Sequence, residues 1–262
     1  MKKKRNFNLI FGCALAAGTL LFIIIGAAFT PYDPDAISTA LRFAPPSAEH
    51  IMGCDHLGRD VFSRVLTGSG TTFFVVAATL VLGGSTGIAV GMIAGYKGGW
   101  LDQILMQLND TILAFPSILL AMVFIAVLGP GKYNVILAFG IAFIPSFARI
   151  ARSEVIREKE MDYIKSARLM GIRPLRVMFV HLLPNIRGTL LASLAIGFNN
   201  AVLAESTMSY LGIGVQPPDA SLGRMLNEAQ LYLFTAPWAA LFPGAFVVLL
   251  ILGYSLISDG IH

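Results

Sequence analysis

Six apolar runs, each close to the length that crosses a bilayer, constrain this chain more than any other feature. They cover residues 9–29, 72–96, 105–128, 135–150, 188–211 and 238–256. A hydrocarbon core about 30 Å thick takes roughly 20 residues of helix. No Lys or Arg falls at the centre of a run, where each costs at least ~2.5 kcal/mol on insertion scales. Only 13% of the residues are charged, against about 25% in soluble domains. The fold class is therefore an all-α membrane protein with about six transmembrane helices. Regular ten-residue alternating segments are absent from the sequence, which excludes a barrel.

The first run follows "MKKKRNFN" and exceeds the 7–15 residues of a signal-peptide core. It is read as an uncleaved span with a basic, cytoplasmic N-terminus. Three units follow. Residues 1–30 form the N-terminal transmembrane helix. Residues 31–71 form an extracytoplasmic loop ending in a short amphipathic helix, where Val61, Phe62, Val65 and Leu66 have helical spacing. Residues 72–262 form a five-helix core with a cytoplasmic loop at 149–187. Gly87, Gly91 and Gly95 make two overlapping GxxxG motifs in the second span, a pattern that lets helix backbones approach. Pro116 and Pro145 kink the third and fourth spans.

Charge fixes the sidedness. With both termini cytoplasmic, 14 of the 19 basic residues lie inside, as cytoplasmic loops require. The excess base is thus topogenic, and nucleic acid is not an expected partner. Cys13 and Cys54 make no disulfide framework, and the four histidines show no metal-ligand spacing. An intramembrane hydrolase would need a base within the spans, where no histidine lies. A secondary carrier would show inverted repeats, and none is visible.

The loop at 149–187 is too long for a simple turn. It contains "YIKSARLMGIRPLRVMFVHLLPN", residues 163–185. Ala167, Leu169 and Met170 favour a helix, and Gly171 is its stop. Pro174 suits the first turn of a second helix, which Pro184 breaks or kinks before the fifth span. Leu175, Met178, Phe179 and Leu182 share one face at i, i+3, i+4, i+7. Residue patterns alone leave two readings, a hairpin lying on lipid or a docking element for a cytoplasmic protein. Elsewhere, Asn199, Asn200 and Glu205 are polar groups in the fifth span. Such groups face a cavity or a partner helix, and they are the candidate pathway residues.

The same stretch resembles the "EAA" loop of binding-protein-dependent ABC importer permeases. That pattern runs Glu-Ala-Ala, Gly, Ile, Leu-Pro. Here Lys165, Ser166 and Ala167 precede Gly171, His181 stands at the isoleucine, and Leu183-Pro184 close it. Lys165 reverses the charge of the family's acid. "MGCDHLGRDVFSRVLTG", "LNDTILAFPSILLAM" and "ESTMSYLGIGVQPPDASLGRMLNEAQLYLFTAPWAALFPG" resemble the dipeptide, oligopeptide and nickel branch, in its shorter permease subunit. The resemblance covers nearly the whole chain from residue 30 onward.

The resemblance implies a type I ABC importer transmembrane domain in the bacterial inner membrane. It implies four kinds of neighbour: membrane lipid, a second permease, two ATPase subunits and an extracytoplasmic substrate-binding protein. It implies no catalysis or cofactor in this chain, with ATP and Mg bound by the partner ATPases. Consistently, the sequence lacks a GxxxxGK[ST] phosphate loop. Tyr163, Lys165, Ser166, Ala167, Arg168, Gly171 and Pro184 become the expected ATPase-coupling residues. The expected cargo is a di- or oligopeptide, with nickel or a metal chelate as the alternative.

Overall fold

The computed structural model describes residues 2–261, and the side-chain surroundings of residues 9–260. The basic side chains at 2–5, assigned above to the inner side, lie outside those described. The helices are α1 (Lys2–Ala28), α2 (Val61–Lys97), α3 (Gly99–Leu113), α4 (Ser117–Leu128), α5 (Lys132–Glu158), α6 (Asp162–Leu169), α7 (Pro174–Tyr210), α8 (Leu222–Ala229) and α9 (Trp238–Ile261). Helices α1, α2, α5, α7 and α9 are long and apolar enough to span a membrane. The pair α3 and α4 makes a sixth, bent by 84°.

Four sequence expectations need correction. The short amphipathic helix at 61–66 is not separate, because α2 runs unbroken through "TGSG". The hydroxyls of Thr67 and Ser69 bond back to Ser63 and Leu66 carbonyls within the helix. Gly68 lies against Ser221 rather than breaking the turn. At 37 residues and 1.5 Å each, α2 is about 55 Å long, well beyond the hydrocarbon thickness. The third span is broken rather than kinked at Pro116. Pro116 has no N–H, and it pushes Phe115 out of helical geometry; α4 restarts at Ser117.

The cytoplasmic loop is also shorter than 149–187, because α5 continues to Glu158. Its basic residues are held by partners. Arg152 grips Asp102 of α3 through two bonds of 2.5 and 2.6 Å. Arg149 reaches Asp110 at 2.8 Å, and Lys159 donates to the Gly95 carbonyl near the end of α2 at 2.9 Å. Finally, Pro184 does not separate two helices. A π-helical turn at Val177–Leu182 widens the helix ahead of the proline, and the chain continues as one rod from Pro174 to Tyr210. That turn splits the expected stripe. Met178 and Leu182 are buried with Val177, whereas Leu175 and Phe179 are exposed.

Helices α2 and α5 form the most extensively packed pair, and small residues are the reason. Gly83, Gly87, Gly91 and Gly95 each sit on a backbone carbonyl of α5, from Gly140, Ile144, Ala148 and Arg152 in turn. Both lists advance by four, so two parallel helices touch backbone to backbone at four points over roughly three turns. A Cβ on Gly87 would stand 2.5 Å from the Ile144 oxygen, and one on Gly95 2.9 Å from that of Arg152. Around this pair, an outer core joins α1, α2, α7, α8 and α9. A middle core joins α2, α4, α5 and α7. An inner core packs α6 and the start of α7 on the ends of α2 and α5.

Gly91→Val must separate α2 from α5, an overpacking that costs typically 1–3 kcal/mol and occasionally more. Gly188 has open space around its Cβ position. Thermal unfolding of the detergent-solubilised protein should show a clearly lowered midpoint for Gly91→Val and none for Gly188→Ala. Equal midpoints would contradict the backbone contact.

Candidate functional site

The inner end of the molecule carries a compact hairpin. Helix α6 buries Ile164 and Ala167 in the inner core, against Val177, Met178 and Leu182 of α7. Its C-terminus closes through a left-handed residue, Gly171, at φ +72°. The Gly171 N–H donates to the Arg168 carbonyl at 3.0 Å and the Ile172 N–H to the Ala167 carbonyl at 3.2 Å. This is a Schellman pair, and Ile172 then packs on the inner core. Gly171 is thus the stop that the sequence placed there, and no side chain occupies the space above it.

The other side of the hairpin is uncovered. Leu169 is 89% exposed and Met170 73%. Leu175, Phe179 and Val180 are exposed with them, beside Lys165, Arg168, Arg173 and Arg176. The expected coupling residues therefore split. Ala167 is buried, while Tyr163, Lys165, Ser166, Arg168, Gly171 and Pro184 are exposed. The Tyr163 hydroxyl donates to Glu158 at 2.7 Å. Partial desolvation, then that hydrogen bond, pushes its phenol up to about 12. The Arg168 guanidinium lies over the Tyr96 ring at 4.8 Å, tying α6 to the end of α2. Lys165 makes only a loose approach of 3.8 Å to Glu160.

A groove of about 480 Å³ opens between α4, α5 and α7. It runs along α7 from Ser193 to Thr207, about 20 Å of helix at 1.5 Å per residue. Ser117, Ser146, Ser193, Asn200 and Thr207 set a polar rail among Phe139, Phe143 and Phe147. The described lining contains no ionisable side chain. Of the three candidate pathway residues, Asn200 lines this groove. Asn199 does not, and its Oδ1 is buried without a hydrogen bond. Glu205 sits on another face of α7, fully enclosed. The serines and Thr207 escaped the sequence reading because single hydroxyls in a span carry no pattern. Only the spacing 193, 200, 207 marks one face.

The outer end carries a lattice of ion pairs that the sequence reading treated only as scattered charge. Arg59 bonds Asp55 and Glu228 at 2.6 Å each. Arg64, 2% exposed, reaches Glu228 and Asp35 at 3.4 Å. Arg224 reaches Glu228 at 3.1 Å. Asp60 caps α2 by accepting from the Ser63 N–H at 2.7 Å, and it also bonds His50 Nδ1 at 2.9 Å. Together these hold the outer loop to α2 and α8. Asp55, His56 and Glu228 bring their ligand atoms within 4.8 Å of one another, the spacing of a metal set. Arg59 already occupies both carboxylates. The cluster is an ion-pair joint. Burial, then Asp60 and Asp55, raises the Cys54 thiol to about 11, so it is inert, while Cys13 is exposed on α1.

Comparison with known proteins agrees with this geometry. Residues 87–262 match the family described as binding-protein-dependent transport system inner membrane component. A dipeptide transport system permease protein DppC from Alkalihalophilus pseudofirmus is 36% identical, over 99% of this chain and 85% of that protein. A glutathione transport system permease protein GsiD from Pectobacterium atrosepticum is 36% identical, over 95% and 85%. Among solved structures, an inward-facing MetNI methionine ABC transporter superposes with TM-score 0.60 at 16% identity, covering 76% of this chain and 96% of the other. The chain therefore belongs to the family of binding-protein-dependent transport system inner membrane components, as a multi-pass bacterial inner-membrane permease with the type I ABC importer transmembrane fold.

Proposed function

We propose that this chain is the non-catalytic permease subunit of an ATP-driven importer of short peptides. The inner hairpin is the observation that carries the coupling role. Its inward face is locked into the core, while Leu169, Met170 and Leu175 stand exposed beside a basic rim. An apolar knuckle of this kind, held rigid from behind, suits a groove on a cytoplasmic partner. The proposed partners are two ATPase subunits that bind ATP and Mg, a second permease, and an extracytoplasmic binding protein docking on the outer loops. ATP drives the cycle only through its different affinity for the two states of the assembly.

Peptide cargo fits both the relatives and the groove. The relatives described above are named for dipeptide and glutathione transport. Peptides present amides and varied side chains, and a neutral rail of Ser, Thr and Asn hydrogen-bonds amides without selecting a charge. Nickel or a metal chelate is not favoured. The groove's described lining offers no carboxylate, imidazole or thiol to a metal. The pathway role of Asn200 follows from the same placement.

Two experiments test this reading in proteoliposomes holding the whole transporter. Gly171→Val forces a β-branched residue into the left-handed region, against about 1–2 kcal/mol of strain. Peptide uptake should fall at least tenfold while the subunits still co-purify. Wild-type uptake by that variant would remove the coupling role. Asn200→Asp places a carboxylate on the neutral rail. The uptake ratio of Lys-containing to Glu-containing dipeptides should rise several-fold. An unchanged ratio would show that Asn200 does not meet the cargo.

A further inference from the structure

Glu205 is buried on α7 at 1% exposure, with no Lys or Arg among the described residues paired to it. Hydroxyls surround it instead. Ser209 Oγ donates to Oε1 at 2.8 Å, and the hydroxyls of Ser221, Thr72 and Ser206 stand about the same carboxylate. Three of these hydroxyls have a second task. Ser209 Oγ accepts from the Val215 N–H at 3.1 Å, Thr72 Oγ1 from the Leu222 N–H at 3.2 Å, and Ser221 Oγ from the Arg224 N–H at 3.2 Å. A hydroxyl has one proton to give. Each of the three takes a backbone N–H from the outer segment 215–224, leaving its own proton for the carboxylate.

The cage thus turns hydroxyl protons toward the carboxyl group rather than lone pairs toward a metal ion. Oε2 and the Ser206 hydroxyl remain buried without a fully formed hydrogen bond, so the knot holds unused bonding capacity. The backbones meet at the same place. A Cβ on Gly68 would stand 3.4 Å from the Ser221 backbone, and one on Gly223 would overlap the backbone of Ser206. The hydroxyls gathered on this one side chain, with the backbone contacts, therefore fasten the outer segment and the start of α8 to both α2 and α7.

That fastening lies at one end of a single rod. Helix α7 carries the Glu205 knot near its outer end, the groove wall along its length, and the seat of the coupling hairpin at its inner end. Helix α8 is in turn pinned to the outer loop through Glu228 and Arg59. We propose that Glu205 is a positioning residue for import, transmitting a load placed on the outer loop and α8 into α7. This rests on the reading that a binding protein docks on the outer surface.

The test uses the complete transporter in lipid nanodiscs, with ATPase activity measured with and without substrate-loaded binding protein. Glu205→Gln keeps the shape but sets an NH₂ against hydroxyl protons. Its basal ATPase should stay within twofold of wild type, while stimulation by the binding protein falls at least fivefold. Ser221→Ala, which removes one donor together with the N-cap of α8, should show the same split more weakly, and it decides the matter if Glu205→Gln fails to assemble. Stimulation at the wild-type level in the assembled variants overturns the role. So does a loss in which basal and stimulated rates fall in proportion, since that marks mere structural damage. A wild-type complex that no binding protein stimulates overturns the docking reading itself.

Discussion

The contact between α2 and α5 is the constraint from which the rest of the structure follows. Within a bilayer there is no hydrophobic drive to press helices together, so association depends on close packing. Four glycines on α2 meet four carbonyls of α5 in register. That register also sets the inner ends level, so that Lys159 reaches the Gly95 carbonyl and Arg152 reaches Asp102. The platform for the inner hairpin is thereby built from the ends of the same two helices. The outer end of α2 is free to extend as a cantilever, which Asp60, Arg59 and Arg64 fasten to the outer loop.

Against this fixed pair, α7 is the element that touches every working surface. Its continuity depends on the treatment of Pro184. A proline inside a helix removes one N–H and clashes with the preceding turn. The π turn just before it opens the helix locally, a device found as single wide turns in α-helices. The extra residue also shifts the helical phase, which puts Val177 into the core and leaves Leu175 and Phe179 outside. The exposure of Phe179 beside the buried Met178 and Leu182 thus accompanies the way the rod survives its proline.

The sequence shows the number of spans, the Gly171 stop and the small-residue face of α2, because each rests on a local rule. Hydropathy finds spans, left-handed geometry demands glycine, and GxxxG marks close approach. What it hides depends on tertiary partners. "TGSG" reads as a break until Ser221 is seen beside Gly68. Arg149 and Arg152 read as loop residues until Asp110 and Asp102 hold them on a helix. Glu205 reads as a pathway residue because polarity in a span has two outlets, a cavity or a partner helix, and the chain takes the second. Asn200 takes the first, five residues away on the same helix.

Charge is handled differently at each level of the molecule, and the difference marks where it is incomplete. At the outer end, Arg59, Arg64 and Arg224 are met by Asp55, Glu228 and Asp35 within one lattice. Along the groove the described lining has no charge. At the inner end, Lys165, Arg168, Arg173 and Arg176 are all exposed. Lys165 stands 3.8 Å from Glu160, and Arg168 rests on a ring rather than a carboxylate. Topology needs positive charge on this side, but it does not need largely exposed leucine and methionine beside it. The two together leave an apolar centre within a basic rim on the inner surface.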